Sequence, residues 1–330
     1  MSKAKKRTDA ASMFERLDSD EPVRLVSEPG IPEQVHVFDD PRDRSRLAVK
    51  SALAAGRPLL VRGEPGVGKT QLAAATAKAL GRPLVSCVVN ARTESTDLLW
   101  HFDSVRRLAE AQVCGVLGLT AEQLDQKLHV TRFVEPGPLW WGFDWNGAKM
   151  HAEAHGFDVP PVGDDVDPDK GRVVLIDEID KADSDLPNGL LEALGSGRFT
   201  PQGCPTVAMS DPAPLVIVTT NEERVLPDAF IRRCLVLHLS LPDNVDELIT
   251  LLEKRGREHF PKITDDLLTK AAKLLVEDRR GAPIPKPGQA EFLDLLRAVQ
   301  KLADQKVDTA ENLLGRVAEY TLKKHTNPVG

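Results

Sequence analysis

The 330-residue chain lacks the marks of several functional classes. It has four cysteines, Cys87, Cys114, Cys204 and Cys234. None sits in a CxxC pair and their spacing fits no zinc motif. Reduced thiols of a cytosolic protein are the expectation. It lacks a basic excess, with a formal net charge of −7. A dedicated nucleic-acid binder usually carries such an excess, so that class is disfavoured, although a local basic groove would not show in the sum. No apolar run approaches the roughly 18 residues a spanning helix needs, so no membrane segment is expected. Met1 to Arg7 is basic but has no apolar stretch behind it, which argues against a secretory signal. What remains is an ordinary globular composition, 41% hydrophobic and 28% charged, in a chain long enough to bury a core without staples.

Residues 1–30 read as a disordered N-terminal tail, mixing Lys5, Lys6, Arg7, Asp18, Asp20 and Glu21 with Pro22, Pro29 and Gly30. A short amphipathic helix near Met13, Phe14 and Leu17 is the alternative. Helical spacing of Leu47, Ala48, Leu53 and Ala54 predicts a helix over 42–55, closed by Gly56. Apolar runs at 58–61, 83–89, 173–176 and 215–218 read as strands, with helical segments between them. That alternation predicts a parallel sheet covered on both faces, an α/β domain over 31–242. Stretch 100–170 is longer than a strand-and-helix repeat needs and reads as an insertion, with an exposed acidic, Pro-rich loop at 158–170. Past Pro242 no strand pattern occurs. Helices at about 243–260, 264–276, 287–303 and 309–324 predict a small all-helical domain over 243–330, with Asp243 as the first N-cap.

Gly63-Glu64-Pro65-Gly66-Val67-Gly68-Lys69-Thr70 matches GxxxxGK[ST] between a predicted strand and a predicted helix that opens at Gln71. Glycines let backbone N–H groups turn inward on phosphate oxygens, and a helix N-terminus adds a favourable dipole. Lys69 is then placed for β- and γ-phosphates and the Thr70 hydroxyl for magnesium. Val173-Val174-Leu175-Ile176 ends in Asp177-Glu178, at the end of a parallel strand where ligands bind. Alternation sends the two carboxylates in different directions, one to a metal and one to an attacking water. Asp177 is the candidate magnesium ligand, largely through water, and Glu178 the candidate general base.

Together these motifs resemble the AAA+ ATPases, in which Ile176-Asp177-Glu178-Ile179-Asp180 is similar to the Walker B segment. Thr219-Thr220-Asn221 resembles sensor 1, with Asn221 orienting the water, and the C-terminal helices resemble the lid. Three further segments are similar to the MoxR branch: Phe133-Val134-Glu135-Pro136-Gly137-Pro138-Leu139-Trp140, Leu190-Leu191-Glu192-Ala193-Leu194, and Leu226-Pro227-Asp228-Ala229-Phe230-Ile231-Arg232-Arg233. The resemblance spans about residues 35–300. It implies a P-loop NTPase sheet with a helical lid, ATP and Mg2+ as cofactors, and a homo-oligomeric ring, usually hexameric, with ATP at subunit interfaces. It also implies an arginine finger, at Arg233 by the better match or at Arg232. The branch usually carries a sensor 2 arginine in a Gly-Ala-Ser-Pro-Arg-Ala pattern. Here Gly281-Ala282-Pro283-Ile284-Pro285-Lys286-Pro287-Gly288-Gln289-Ala290 offers Lys286 as a point charge instead, with Arg279, Arg280 and Arg297 nearby. The nucleotide-binding set is therefore Gly63, Glu64, Pro65, Gly66, Val67, Gly68, Lys69, Thr70, Gln71 and Lys286.

The implied function is cytoplasmic ATP hydrolysis that remodels or activates a protein partner, often one with a von Willebrand A domain. A motor or loader on nucleic acid is the alternative, since one fold serves both. A nucleotide-controlled scaffold is a third reading, against which the full set Lys69, Thr70, Asp177, Glu178 and Asn221 argues. Other signals carry less. His151 and His155 stand at i and i+4 but show no third zinc ligand, so a surface helix is expected. Trp140, Trp141 and Trp145 read as packing of the insertion, with a partner patch as the alternative. The resemblance implies a hairpin before sensor 1 at 203–211, with Val207, Ala208 and Met209 either contacting a client or not.

Overall fold

A computed structural model describes residues 14–15, 17–19, 21–25, 33–39, 43–117, 119–281 and 286–323. Lys5, Lys6, Arg7, Met13, Pro29, Gly30 and 282–285 fall outside them. The expected tail is not uniform. Leu17 is 1% exposed, and β1 (Val23–Leu25) pairs antiparallel with β2 (Gln34–His36). A composition window misses this because the partner strand lies beyond the Pro29-Gly30 break.

Helix α1 (Arg44–Ala55) turns in Val49 and Ala52, while Leu47 is 62% exposed. Strand β3 (Leu59–Arg62), helix α2 (Lys69–Leu80) and β4 (Leu84–Val88) follow. The next stretch holds β5 (Trp100–Phe102), α3 (Ser104–Val116), α4 (Ala121–Leu128), β6 (Val134–Pro136), α5 (Pro138–Phe143) and α6 (Trp145–His155). Then come β7 (Val173–Asp177), α7 (Asp185–Ser196), the antiparallel pair β8 (Arg198–Phe199) and β9 (Val207–Ala208), β10 (Leu215–Thr220), α8 (Asp228–Ile231) and β11 (Leu235–His238). Helices α9 (Val245–His259), α10 (Asp265–Gly281), α11 (Gln289–Asp304) and α12 (Ala310–Thr321) complete the described chain.

The main sheet is five-stranded, in the order β11-β3-β10-β7-β4. Its central strands β7 and β10 pair in parallel, Leu175 opposite Ile217 and Ile176 opposite Val218. These Val- and Ile-rich runs are buried on both faces, the pattern a helix-covered parallel sheet requires. The fold is thus an α/β P-loop core with C-terminal helices.

Two compact units divide the chain, and the cut passes through β3 and β11. One holds the described residues of 48–60 and 76–236; the other holds 61–75 and the described residues up to 47 and from 237 onward. The domains expected from the sequence are consecutive, 31–242 and 243–330. The phosphate loop groups with the C-terminal helices through contacts far apart in sequence, such as Leu239 N–H to the Arg62 carbonyl at 2.8 Å. In the second of these units Leu252, Leu268, Leu275, Phe292, Leu296 and Val299 form the core. Helix α9 is capped by Asn244, which accepts from the Asp246 and Glu247 N–H groups, and not by Asp243.

In the first unit the segment from Val134 to Ala152 contributes to the core, whereas α3 buries only Cys114 and no residue of α4 is buried. Trp140, Trp141 and Trp145 are 4–5% exposed. A Cβ on Gly142 would come 2.6 Å from Val174 of β7, so α5 lies directly on the sheet. Packing therefore accounts for these tryptophans. His151 accepts the same account: its Nε2 lies 2.7 Å from the Val134 carbonyl, and burial lowers its pKa. Among the described residues no cluster of three His, Cys, Asp or Glu could hold a metal ion. Residues 203–211 contain β9, whose Val207 is buried while Ala208 is exposed.

Candidate functional site

The phosphate loop begins where β3 ends. Gly63, Gly66 and Gly68 have φ of 155°, 77° and 100°, backbone that L side chains rarely adopt. Space enforces the first two. A Cβ on Gly63 would lie 2.1 Å from the Leu239 carbonyl oxygen, and one on Gly66 would lie 3.2 Å from the Ala290 Cβ. Val67 is buried and anchors the loop; Glu64, Pro65 and Thr70 are exposed. Lys69 is 6% exposed, and its ammonium donates to the Gly63 and Glu64 carbonyls at 2.8 and 3.0 Å. Helix α2 starts at once, with Leu72 N–H on the Gly68 carbonyl. Gln71 is half-buried and donates its amide to Gln34 at 3.2 Å.

The C-terminal helices brace this loop inside the same unit. Ala290 N–H donates to the Gly66 carbonyl at 3.3 Å, and a Cβ on Gly288 would lie 3.3 Å from the Pro65 carbonyl oxygen. Lys286, the expected point charge, is exposed. Arg279 reaches the loop instead, donating to Glu64 Oε2 at 3.3 Å and to the Pro287 carbonyl at 2.5 Å. Nearby, Arg255 grips Asp39 through Nε and Nη2 and also bonds Gln289. A cavity of about 680 Å³ opens beside Val67, lined in part by Arg44, Leu239, Pro242, Thr250 and Leu251. That lies within the size range of small-molecule pockets, about 300–1,000 Å³.

The other unit holds the carboxylates. Glu178 sits at φ 59°, ψ 48°, left-handed backbone that costs a non-glycine residue about 1–3 kcal/mol. Thr219 compensates. Its hydroxyl accepts the Glu178 N–H at 2.9 Å and donates to Asp177 Oδ1 at 2.5 Å. The Glu178 carboxylate is held at both oxygens, by Asn221 Nδ2 at 3.0 Å and Lys181 Nζ at 2.5 Å. That bond raises the Lys181 pKa, so the lysine stays charged. Asp180, 2% exposed, accepts from the Asn221 and Glu223 N–H groups and so ties the end of β10 to the turn after β7. The structure thus brings together Asp177, Glu178 and Asn221.

Arg232 and Arg233 are both exposed and end the short helix α8. The next residue, Cys234, is buried, which pushes its thiol up to about 11. A protonated thiol of that kind is inert.

Magnesium keeps several waters and takes one or two protein oxygens plus phosphates, rather than a full protein cage. The Thr70 hydroxyl and the Asp177 carboxylate, each within its own unit, are donors of that hard-oxygen type.

A model of the AAA domain family, dynein-related subfamily, matches residues 58–234, more than half of the chain. The chain belongs to that family. It is therefore an AAA+ ATPase superfamily member, and the matched segment takes in the phosphate loop, both carboxylates, Asn221 and the arginine pair. Among solved structures it is similar to the Thermotoga maritima RuvB Holliday junction branch migration motor, at 17% identity and a TM-score of 0.44 over 84% of this chain and 67% of that one. A substituted form of that protein matches at 16% identity and a TM-score of 0.47, over 84% and 68%. A further substituted form matches at 17% and 0.44, over 84% and 67%. No curated protein matches the chain.

Several contributors escaped the sequence reading. Thr219 lay inside a quoted motif without a role. Asp180 looked like one more acidic residue, and only its burial reveals its bonds. Arg279 was one of several nearby arginines, and its reach to Glu64 spans 215 residues of sequence.

Proposed function

We propose that this AAA+ protein hydrolyses ATP and uses the cycle to remodel or activate a protein partner, in the manner of the MoxR branch. One observation carries the hydrolytic part: Glu178 is strained into a fixed pose with its carboxylate on Asn221. A merely acidic turn would relax such strain. In this reading Gly63–Thr70 cradles the phosphates, Lys69 meets the β- and γ-oxygens, and Gln71 and the cavity at Val67 serve the nucleoside side. Glu178 takes the proton of the attacking water, which Asn221 orients. Thr70 and Asp177 would supply oxygen ligands to Mg2+, which when bound would neutralise charge on the phosphates. Arg279, already on the loop, is better placed than Lys286 to link nucleotide to helices.

Arg233, or Arg232 as second choice, is donated to a neighbouring protomer in a homo-oligomeric ring, taken to be a hexamer. The partner is a protein, with a von Willebrand A domain as the leading type. No described helix is long and apolar enough to cross a membrane, and a cytoplasmic site of action accords with the reduced cysteines. The test compares two stimulants of ATP turnover: single-stranded DNA, and the protein trapped by the Glu178→Gln variant in ATP. Acceleration by the trapped protein supports the reading. Acceleration by DNA alone replaces it with the nucleic-acid motor.

A further inference from the structure

The turn that carries the arginine pair has a clamp. The last carbonyls of a helix lack intrahelical partners, and a cation there also suits the helix dipole. Helix α8 is only four residues long, so the carbonyls just after it have no ladder to join. Arg57, between α1 and β3, supplies the missing donors. Its Nε donates to the Arg233 carbonyl at 3.0 Å, and its Nη2 donates to the Arg232 carbonyl. One guanidinium fork thus takes two successive carbonyls, a geometry an ammonium does not reproduce. The backbone on both sides is pinned. Gly56 closes α1 at φ 59°, Arg57 N–H bonds the Ala52 carbonyl, and Leu235 N–H bonds the Pro58 carbonyl at 2.9 Å. Beside the clamp a cavity of about 630 Å³ is lined by Arg57, Asn188, Glu192 and Arg233.

We propose that Arg57 is a positioning residue for ATP cleavage: it fixes the backbone from which Arg233 projects, and so sets where that guanidinium stands. The proposal rests on the reading of Arg233 as a cation given to the next protomer's nucleotide. Arg57 does not touch the nucleotide. With Nε and Nη2 committed to carbonyls, its own fork is spent on the turn. Its effect is therefore confined to the rate of cleavage, and it acts on a neighbour's site and not on its own.

Arg57→Ala, Arg57→Lys, Arg232→Ala and Arg233→Ala are compared in the full chain by steady-state kinetics and thermal melting. A misplacement of about 1 Å costs roughly 10²-fold in rate, so Arg57→Ala should lose turnover on that scale with KM for ATP unchanged. Arg57→Lys should fall between it and the parent. Each variant is then mixed with Glu178→Gln protomers, which lack the base but keep the arginine turn. Arg57→Ala keeps the base, so mixed rings contain complete sites, and turnover should rise above that of either variant alone. Damage confined to the variant's own fold would not be restored in this way. Should Arg57→Ala fail to fold, Arg57→Gln is read by the same assay.

Wild-type turnover in both Arg232→Ala and Arg233→Ala would remove the finger reading, and this proposal with it. A loss in Arg233→Ala alongside unchanged turnover in Arg57→Ala would overturn the proposal and leave the finger standing. So would restoration on mixing for Arg233→Ala but not for Arg57→Ala.

Discussion

The phosphate loop and the carboxylate turn are built by different means. The loop is shaped by backbone: three glycines at positive φ, two of them packed closely against the Leu239 carbonyl and Ala290. The carboxylate turn is shaped by side chains: Thr219, Asn221, Lys181 and Asp180 hold Glu178 and Asp177 by hydrogen bonds. They also lie in different compact units. In the proposed reading the first region holds nucleotide and the second cleaves it. Variants in the first should fail in binding. Variants in the second should bind and fail in turnover.

The sharpest way to break that division is Arg233→Ala. An arginine supplied in trans contributes about 10³–10⁵ in rate, so turnover should fall by that factor while ATP affinity stays near the parent's. A matching loss of affinity, read by titration with a fluorescent ATP analogue, would blur the two regions into one. Lys69→Ala is the converse. In the proposed reading Lys69 donates to the β- and γ-phosphates, and losing two such charge-assisted bonds of about 1.5–3 kcal/mol each predicts roughly a 10²–10⁴-fold fall in affinity, seen in the same titration. Retained affinity would contradict the assignment of the loop.

Arg255→Ala probes the scaffold of the binding region alone. The Asp39 side chain is 2% exposed and would be left as a buried, unpaired charge. Breaking such a pair costs about 3–5 kcal/mol, which denaturant unfolding would measure. A stability change well below that range would show that Asp39 rehydrates when its partner is lost.

How legible each region was follows from the same contrast. Backbone requirements leave fixed residue types at fixed spacing, so Gly63 to Thr70 could be read directly, as could the buried strand ending in Asp177-Glu178. The alternation of apolar strands and helices likewise announced the α/β core, because strands buried on both faces leave continuous Val and Ile runs. Side-chain networks leave no such spacing. Asp180, Lys181 and Thr219 acquire roles only when β7 and β10 lie side by side. Arg57 and Arg279 act across 175 and 215 residues of sequence. The grouping of the loop with the C-terminal helices was hidden for the same reason, since it rests on hydrogen bonds from Leu239 and Ala290 far along the sequence. The tryptophan-rich stretch stood out by its length, and the packing read for Trp140, Trp141 and Trp145 agrees with their burial.

The central claim is that the Glu178 carboxylate, poised by Asn221, performs the proton transfer that cleaves ATP. Phosphate release by Glu178→Gln at saturating ATP, with binding measured on the same samples, tests it most directly. Loss of general-base catalysis predicts release slower by about 10²–10⁴-fold with binding intact. Release at the parent's rate would contradict the claim.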